Sequence, residues 1–184
     1  VGAAPIQNIG AYGVEVADYI EFVLVWDACG EERTLSREEC RFGYRSSIFQ
    51  LDTELTVAGV GLRLNKVPKP NISYPDVTNA LSGLSKSSIT PKIVGSKIAE
   101  IRAAKLPDPK TYPNIGSFFK NPLVEVELAQ KLIRQIEGLK VFEATGGFKL
   151  SAAQLIDLDG WKNKPGKNVC CWSKQPLVLV NRGM

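Results

Sequence analysis

Apolar positions in the first third of the chain follow the two-residue period of β-strands. Residues 14–26 are rich in β-branched and aromatic side chains and partly alternate, which predicts one or two strands followed by a turn at 27–30. Residues 55–64 predict another strand, with apolar anchors at Val57, Val60 and Leu62. Residues 65–91 are crowded with Pro, Asn and Ser and therefore predict a linker or a long excursion.

Helical spacing appears after this excursion. Thr90-Pro91 predicts a capped helix that runs to about Ala104, with one apolar face formed by Ile93, Val94, Ile98 and Ile101. Asn121-Pro122 predicts the start of a second helix, which Gly138 ends. Its inner stripe is expected to consist of Leu128, Leu132, Ile133 and Ile136.

The last part of the chain mixes short strands with one more helix. Residues 140–144 predict a strand, and Ser151 caps a third helix that runs to Asp159 and stops at Gly160. Residues 170–172 and 177–180 predict two closing strands. Strands come first and helices are then mixed with strands, so the pattern predicts an α+β chain with one layer system over 1–64 and another over 105–184.

Composition and charge narrow the function only a little. The chain has 184 residues, a net charge of +4 and no block of like charges that would suggest a nucleic-acid partner. No apolar run approaches the length needed to span a membrane. With no histidine and no C-x-x-C spacing, a metal site is not expected, and the four cysteines are expected to be free thiols in a reducing cytoplasm.

The two ends of the chain carry an expectation of their own. The sequence opens at Val1 without an initiator methionine and stops soon after the apolar run 177–180. We therefore expect a fragment of a larger protein.

The segment Gly116-Ser117-Phe118-Phe119-Lys120-Asn121 holds the strongest candidate for chemistry. A stretch dense in Pro and Asp leads into it, which predicts an irregular loop that presents a hydroxyl, an ammonium and an amide. The chain contains no histidine to activate Ser117 as a nucleophile. If this serine takes part in a reaction, it should donate a proton or a hydrogen bond.

Four further features are weaker candidates, each with a purely structural alternative. The run 6–13 contains small residues that let the backbone approach a ligand, but a tight turn explains it better. Arg45 could hold a carboxylate or phosphate in bidentate fashion, or could pair with Glu38 or Glu39 at the surface. Cations at Arg102 and Lys105 suit a last helical turn as well as a ligand, and Tyr74 suits a turn.

Taken in order, these segments resemble one family. The motifs I-Q-N-I-G-A-Y-G, C-R-F-G-Y-R-x-S-x-F, K-L-P-D-P-K, G-S-F-F-K-N-P, A-x-L-I-D and Q-x-L-V-L-V-N follow the pattern of the UDP-N-acetylenolpyruvoylglucosamine reductases over essentially the whole chain. The resemblance implies a flavoenzyme of bacterial peptidoglycan synthesis. It implies the second part of a vanillyl-alcohol-oxidase-like FAD-binding domain at 1–104 and an α+β substrate-binding domain at 105–184.

The resemblance also implies the cofactors and the roles of particular residues. NADPH would reduce FAD, and hydride would then pass to the enolpyruvyl group of UDP-N-acetylglucosamine enolpyruvate. Ser117 would protonate the adjacent carbon, and Arg45 would stabilise the carboxylate as it gains charge. The substrate would meet Tyr44, Tyr74, Lys105, Asn121 and Gln175, and the flavin would meet Gln7, Asn8, Gly10, Ala11 and Gly13.

Some departures from the family pattern leave an alternative open. The first part of the flavin domain and the segment with a second catalytic carboxylate have no counterpart here, and Trp172 stands where many relatives carry histidine. We therefore expect this chain alone to be inactive. The alternative is a non-catalytic module, genuinely this short, that binds a nucleotide sugar.

Overall fold

The computed structural model describes residues 2–162, 164 and 166–183. They form two compact units, Val1–Ala99 and Glu100–Met184, with the boundary inside one long helix. Each unit combines helices with small antiparallel sheets, so the prediction of an α+β chain is confirmed. Among the described residues, no helix is both long enough and apolar enough to cross a bilayer.

The elements of the first unit are short. They are α1 (Ala3–Ile6), β1 (Gly10–Ala11), β2 (Val14–Glu15), β3 (Ile20–Trp26), β4 (Glu32–Ser36), β5 (Thr56–Leu62) and α2 (Pro75–Leu81), followed by α3 (Pro91–Lys105). The predicted strand region 14–26 is divided into β2 and β3 by a single 3-10 turn, Val16–Asp18. The predicted turn that follows is confirmed, because the Gly30 amide donates to the Asp27 carbonyl at 2.9 Å.

The main sheet of the first unit has the order β4-β3-β5, and both of its pairings are antiparallel. The central strand buries Ile20, Val23 and Val25, which pack with Leu35 and Phe49 in the core of this unit. A strand with neighbours on both sides satisfies its backbone groups along its whole length, so the β-branched run of β3 is well suited to this place.

The expected linker at 65–91 contains a helix that the sequence analysis did not predict. Tyr74 is the N-cap of α2, Pro75 takes the first helical position, and Val77 and Leu81 are buried one turn apart. The many Pro, Asn and Ser residues around it obscured this short apolar stripe. The predicted cap of α3 is confirmed, since Thr90 Oγ1 accepts from the Ile93 amide at 3.3 Å.

The second unit contains two three-stranded antiparallel sheets and two helices. Its elements are β6 (Asn114–Ser117), β7 (Leu123–Val124), α4 (Val126–Gln135), β8 (Val141–Ala144), β9 (Gly147–Leu150), α5 (Ala152–Leu158), β10 (Val169–Trp172) and β11 (Gln175–Asn181). The sheet orders are β10-β11-β6 and β7-β9-β8. The strands predicted at 140–144, 170–172 and 177–180 are confirmed as β8, β10 and β11, and α5 begins after Ser151 as predicted.

Two predictions for the second unit are wrong. Residues 114–117 form strand β6 against β11 rather than a loop, although 118–122 are irregular as expected. The second helix begins after Glu125 rather than at Asn121-Pro122, because β7 pairs with β9 first.

The buried face of α4 also differs from the predicted stripe. Ala129 is fully buried and Leu132 and Ile136 are half-buried, whereas Leu128 and Ile133 are 46% and 44% exposed. The later start of α4 does not change the spacing of its apolar residues. The sequence therefore predicts the apolar stripe correctly, but not which residues of the stripe are buried.

Candidate functional site

Arg45 lies in a tight turn of the first unit. Gly43 and Ser46 exchange backbone hydrogen bonds of 3.0 and 3.2 Å across the turn, and Arg45 takes a left-handed conformation with φ of 53°. A bulky residue in this conformation is strained by about 1 kcal/mol or more, so side-chain contacts must compensate.

The Arg45 guanidinium is fixed by three hydrogen bonds. Nη1 donates to Glu15 Oε1 at 3.1 Å and to the Asn8 carbonyl at 3.3 Å, and Nη2 donates to the Gly10 carbonyl at 2.6 Å. The ion-pair partner is therefore Glu15, and the alternative of pairing with Glu38 or Glu39 is wrong. Nε donates to no described residue, which leaves part of the guanidinium available to an anion.

Asn8 forms the buried base beneath this arrangement, with 1% of the residue exposed. Its Nδ2 donates to Glu15 Oε2 at 2.8 Å and to the Gly43 carbonyl at 2.9 Å, and its Oδ1 accepts from the Ala17 amide at 3.1 Å. The Asn8 side chain thus connects three segments of the first unit. Both of its polar atoms are used within the chain.

The predicted flavin-binding residues surround the hairpin β1–β2. Tyr12 and Gly13 have φ values of 54° and 78°, the left-handed pair that a two-residue hairpin turn requires. Gln7, Ala11 and Gly13 are exposed. A Cβ at Gly10 would come within 2.8 Å of Arg45 Nη1, so the space beside Gly10 is used by the protein itself.

These residues fit a flavin in part. The exposed edge at Gln7, Ala11 and Gly13 carries small or polar groups that a flat ring could approach closely. The Asn8 side chain cannot bind a flavin, because its polar atoms already bond within the chain. The space beside Gly10 is filled by Arg45 and Glu15. The main-chain carbonyls of both residues already accept from Arg45, and the Asn8 amide donates to the Pro5 carbonyl. Any contact with a flavin from these positions would therefore have to share a carbonyl or use the Gly10 amide.

Two predicted substrate residues also belong to the first unit. The guanidinium of Arg45 lies 5.1 Å from the centre of the Tyr44 ring, within cation–π range. Tyr74 meets Tyr12 edge to face at 5.1 Å, and Asn71 Nδ2 donates to the Gly13 carbonyl at 3.0 Å. The structure therefore brings the excursion that carries Tyr74 onto the tip of hairpin β1–β2.

Ser117 is the last residue of β6 in the second unit. It is exposed, pairs with Val178 of β11, and follows Gly116, which has a φ of 68°. Its hydroxyl has no hydrogen-bond partner among the described residues, so it could donate to a ligand. Phe118 and Phe119 follow as a perpendicular ring pair 5.1 Å apart.

Phe119 also lines an apolar pocket of about 600 Å³ in the second unit. Leu155 and Trp161 contribute from α5 and the residues after it, and Leu179 contributes from β11. Phe119 is itself 39% exposed, so it forms part of the wall of this pocket and is not part of the buried core.

Asn121 has a structural role that the sequence did not suggest. Its Oδ1 accepts from the Ala152 amide at 3.0 Å, while Ser151 Oγ accepts from the Gln154 amide at 3.2 Å. Both side chains therefore satisfy amides at the start of α5. The Nδ2 group of Asn121 has no partner among the described residues and is the part of this side chain that a substrate could meet.

Lys105 and Gln175 are brought together at the end of α3. Trp172 Nε1 donates to the Lys105 carbonyl at 3.0 Å, and Trp172 is the strand partner of Gln175. Tyr112 packs on Trp172 with ring centres 5.1 Å apart. Gln175 Oε1 is buried without a hydrogen-bond partner among the described residues, which is costly unless a donor from a ligand or water reaches it.

Sequence reasoning missed Glu15 and Tyr112. The Tyr12-Gly13 pair is a recognisable turn signal, and a two-residue hairpin would have placed Glu15 opposite Gly10. No local signal marks Tyr112, because its partner Trp172 is distant in sequence. Arg45 belongs to the first unit and Ser117 to the second.

No cluster of three or more His, Cys, Asp or Glu side chains that could hold a metal ion occurs in the part of the chain that the structure describes. The described cysteines are all free, two of them buried and one exposed.

Comparison with known proteins places these features in one group of enzymes. Residues 108–184 match the family model described as UDP-N-acetylenolpyruvoylglucosamine reductase, C-terminal domain. A UDP-N-acetylenolpyruvoylglucosamine reductase of Dechloromonas aromatica is 41% identical over 192 residues, covering 100% of this chain and 56% of the relative. The same enzyme of Alcanivorax borkumensis is 42% identical over 186 residues, covering 100% and 54%.

A solved structure agrees with these relatives. The crystal structure of the UDP-N-acetylenolpyruvylglucosamine reductase of Thermus caldophilus is similar with a TM-score of 0.60 and 25% identity, covering 100% of this chain and 50% of that one. The chain thus spans about half the length of the relatives that it matches.

Proposed function

Because the chain belongs to the family of UDP-N-acetylenolpyruvoylglucosamine reductases, we propose that it contributes to the reduction of UDP-N-acetylglucosamine enolpyruvate to UDP-N-acetylmuramate. The product is a precursor of peptidoglycan, so the reaction would support cell-wall growth, cell shape and division from the cytoplasm. In this proposal residues 1–104 belong to a vanillyl-alcohol-oxidase-like FAD-binding domain, and residues 105–184 bind the substrate.

The arrangement of Arg45 is the observation that carries the proposal. Its guanidinium is anchored through Nη1 and Nη2 and keeps Nε free of partners among the described residues. Addition of hydride to an enol ether conjugated with a carboxylate builds negative charge on that carboxylate. A cation that is already held in place stabilises such charge without having to reorganise during the reaction.

Ser117 provides the other half of the proposed chemistry. When bound, FAD would supply hydride to one carbon of the enolpyruvyl double bond, after its own reduction by NADPH. The neighbouring carbon must then receive a proton, and the exposed Ser117 hydroxyl, without a described partner, is suited to deliver it. A cation such as Lys120, three residues further along the chain, or Lys105 would favour transient negative charge on the serine oxygen if it lay close to the hydroxyl.

The remaining predicted residues would hold the two ligands. Tyr44, Tyr74, Lys105, Asn121 and Gln175 would contact the UDP-sugar, as the resemblance to the family implies. The buried Gln175 Oε1 without a described partner and the free Nδ2 of Asn121 support this role. Gln7, Ala11 and Gly13 would meet the flavin from the exposed hairpin edge, with Asn8 and Gly10 contributing main-chain contacts.

Substitution of Ser117 in the full-length enzyme tests the proposal. We expect Ser117→Ala to slow the reoxidation of reduced flavin by the enolpyruvyl substrate by about 10²-fold or more, the range typical of a lost proton donor. Reduction of the flavin by NADPH should keep its wild-type rate. Stopped-flow absorbance of the flavin separates the two half-reactions.

The matched control is Ser96→Ala, which removes an exposed hydroxyl from α3 and should change neither half-reaction. Wild-type reoxidation by Ser117→Ala would disprove the proton-donor role.

The 184-residue chain alone is expected neither to bind FAD in stoichiometric amount nor to show turnover. Binding of the UDP-sugar by a natural protein of this length, with no bound flavin, would favour the alternative, a short non-catalytic binding module.

A further inference from the structure

We propose that Glu15 is a positioning residue that holds Arg45 ready for the substrate carboxylate. This inference rests on the proposed function, because it assigns a reason for the location of Arg45 within that site. The relevant feature is a network of four side chains, Asn8, Glu15, Asp18 and Arg45, which we call the Glu15 network.

The Glu15 carboxylate is fixed from three directions. Oε1 accepts from Arg45 Nη1 at 3.1 Å, and Oε2 accepts from Asn8 Nδ2 at 2.8 Å. The side chain also accepts from the Asp18 amide, while the Asp18 carboxylate accepts from the Glu15 amide at 2.8 Å. This reciprocal pair is a capping box, so the backbone and the side chain of Glu15 are both constrained.

The chain makes room for this pairing at Gly10. A Cβ at that position would lie 2.8 Å from Arg45 Nη1 and 2.9 Å from Glu15 Cγ. Both distances are too short for any larger residue, so the close approach of Arg45 and Glu15 to the hairpin depends on glycine. The buried Asn8 then ties the same carboxylate to the turn that carries Arg45, through the Gly43 carbonyl at 2.9 Å.

The charge balance indicates what Glu15 contributes. A carboxylate beside Arg45 offsets part of the positive charge that attracts the substrate, so Glu15 does not strengthen the attraction itself. It instead removes the need to order a long, flexible arginine side chain when the ligand binds. It does so through Nη1, leaving Nε without a partner among the described residues. We infer that Glu15 improves the orientation of Arg45 at some expense in net charge.

The test uses the full-length enzyme and three variants: Glu15→Gln, Arg45→Lys and the double variant. Glutamine keeps an acceptor for Arg45 but loses the charge and the second carboxylate oxygen. We expect Glu15→Gln to raise the KM for the enolpyruvyl substrate or slow flavin reoxidation by about 10-fold, with NADPH reduction of the flavin unchanged. A contact within one network should also make the two single effects non-additive, so the double variant should be no worse than Arg45→Lys alone.

Glu21→Gln is the matched control. Glu21 also pairs with an arginine, Arg63, in the same unit, but that pair is exposed and joins the central strand β3 to the residue after β5, outside the Glu15 network. The control should match the wild-type enzyme in both half-reactions. If Glu15→Gln does not yield folded protein, Glu15→Asp retains the charge with one methylene fewer and is measured in the same way.

Three outcomes would overturn the inference: wild-type kinetics for Glu15→Gln, equal slowing of both half-reactions, or multiplicative effects in the double variant. Equal slowing would mean that Glu15 only maintains the fold or the flavin site. The proposed function fails separately, if the wild-type full-length enzyme does not oxidise its reduced flavin with UDP-N-acetylglucosamine enolpyruvate. A working wild-type enzyme with an unaffected Glu15→Gln variant would remove only the role of Glu15.

Discussion

Arg45 and Asn8 owe their roles to partners that are close in space and distant in sequence. Arg45 is in reach of Glu38 and Glu39 along the chain, yet it pairs with Glu15, thirty residues away. Asn8 would be an ordinary turn residue by its neighbours, yet its amide is buried and joins three segments. At this scale the sequence identified the residue types, and the fold selected their contacts.

Cys40 leads to a prediction at the residue scale. It is completely buried, and burial, followed by the charges of Glu39 and Glu38, raises the pKa of its thiol to about 11. Since the thiolate is the reactive form, only about a thousandth of Cys40 would be ionised at pH 8. We expect iodoacetamide to modify the exposed Cys29 in native protein and to leave Cys40 unmodified until denaturant is added.

Peptide mass spectrometry after timed quenching measures the modification of both cysteines in one sample. Cys29 serves as the internal control for reagent activity. Modification of Cys40 at the rate of Cys29 in the native protein would show that this part of the first unit opens readily.

At the scale of elements, caps and periodic patterns were sufficient to predict those helices and strands whose own residues carry the signal. Helix α3 follows its cap at Thr90, α5 follows Ser151, and β11 alternates buried and half-buried residues. Short strands such as β7 and β9 lack this information, because two to four residues cannot establish a period. Their existence depends on a partner strand, which also determines where α4 begins.

Replacing either of two glycines by alanine should change the free energy of unfolding, in opposite directions at the two positions. Gly116 in β6 has a φ of 68°, Gly95 lies in α3, and open space surrounds the Cβ position of both. We expect Gly116→Ala to lower the free energy of unfolding by about 1 kcal/mol because alanine is strained in that conformation. Gly95→Ala should raise it by about 0.5–1 kcal/mol because alanine favours helix.

Urea denaturation followed by circular dichroism measures both variants against the wild-type chain. Each variant adds the same methyl group to open space, so the two serve as controls for one another. A stabilising Gly116→Ala would mean that β6 does not need its left-handed residue.

At the scale of the whole molecule, the chain holds two compact units with separate cores. Val23 is fully buried in the core of the first unit, and Val178 is 1% exposed in the core of the second. The sequence pattern anticipated two layer systems. The resemblance implied domains over 1–104 and 105–184, which stays a prediction, while the two compact units divide at Ala99 and Glu100, inside the continuous helix α3.

Core substitutions should reveal how far the two units unfold independently. We expect Val23→Ala and Val178→Ala each to cost about 2 kcal/mol, from lost burial and an incompletely filled cavity. Hydrogen exchange with mass spectrometry should show faster exchange in β3–β5 for Val23→Ala and in β6, β10 and β11 for Val178→Ala. Faster exchange in both units from either variant would indicate a single cooperative unit.

The sequence alone determined the α+β class, the principal helices and strands, and the resemblance to one enzyme family, because these follow from local period, caps and motif order. The tertiary structure alone decided that Glu15 partners Arg45, that Asn8 is buried, that Asn121 caps α5, and that Ser117 ends a strand. Those outcomes depend on hydrogen bonds and strand pairings between distant segments. No local pattern of residues encodes which distant donor will meet which acceptor.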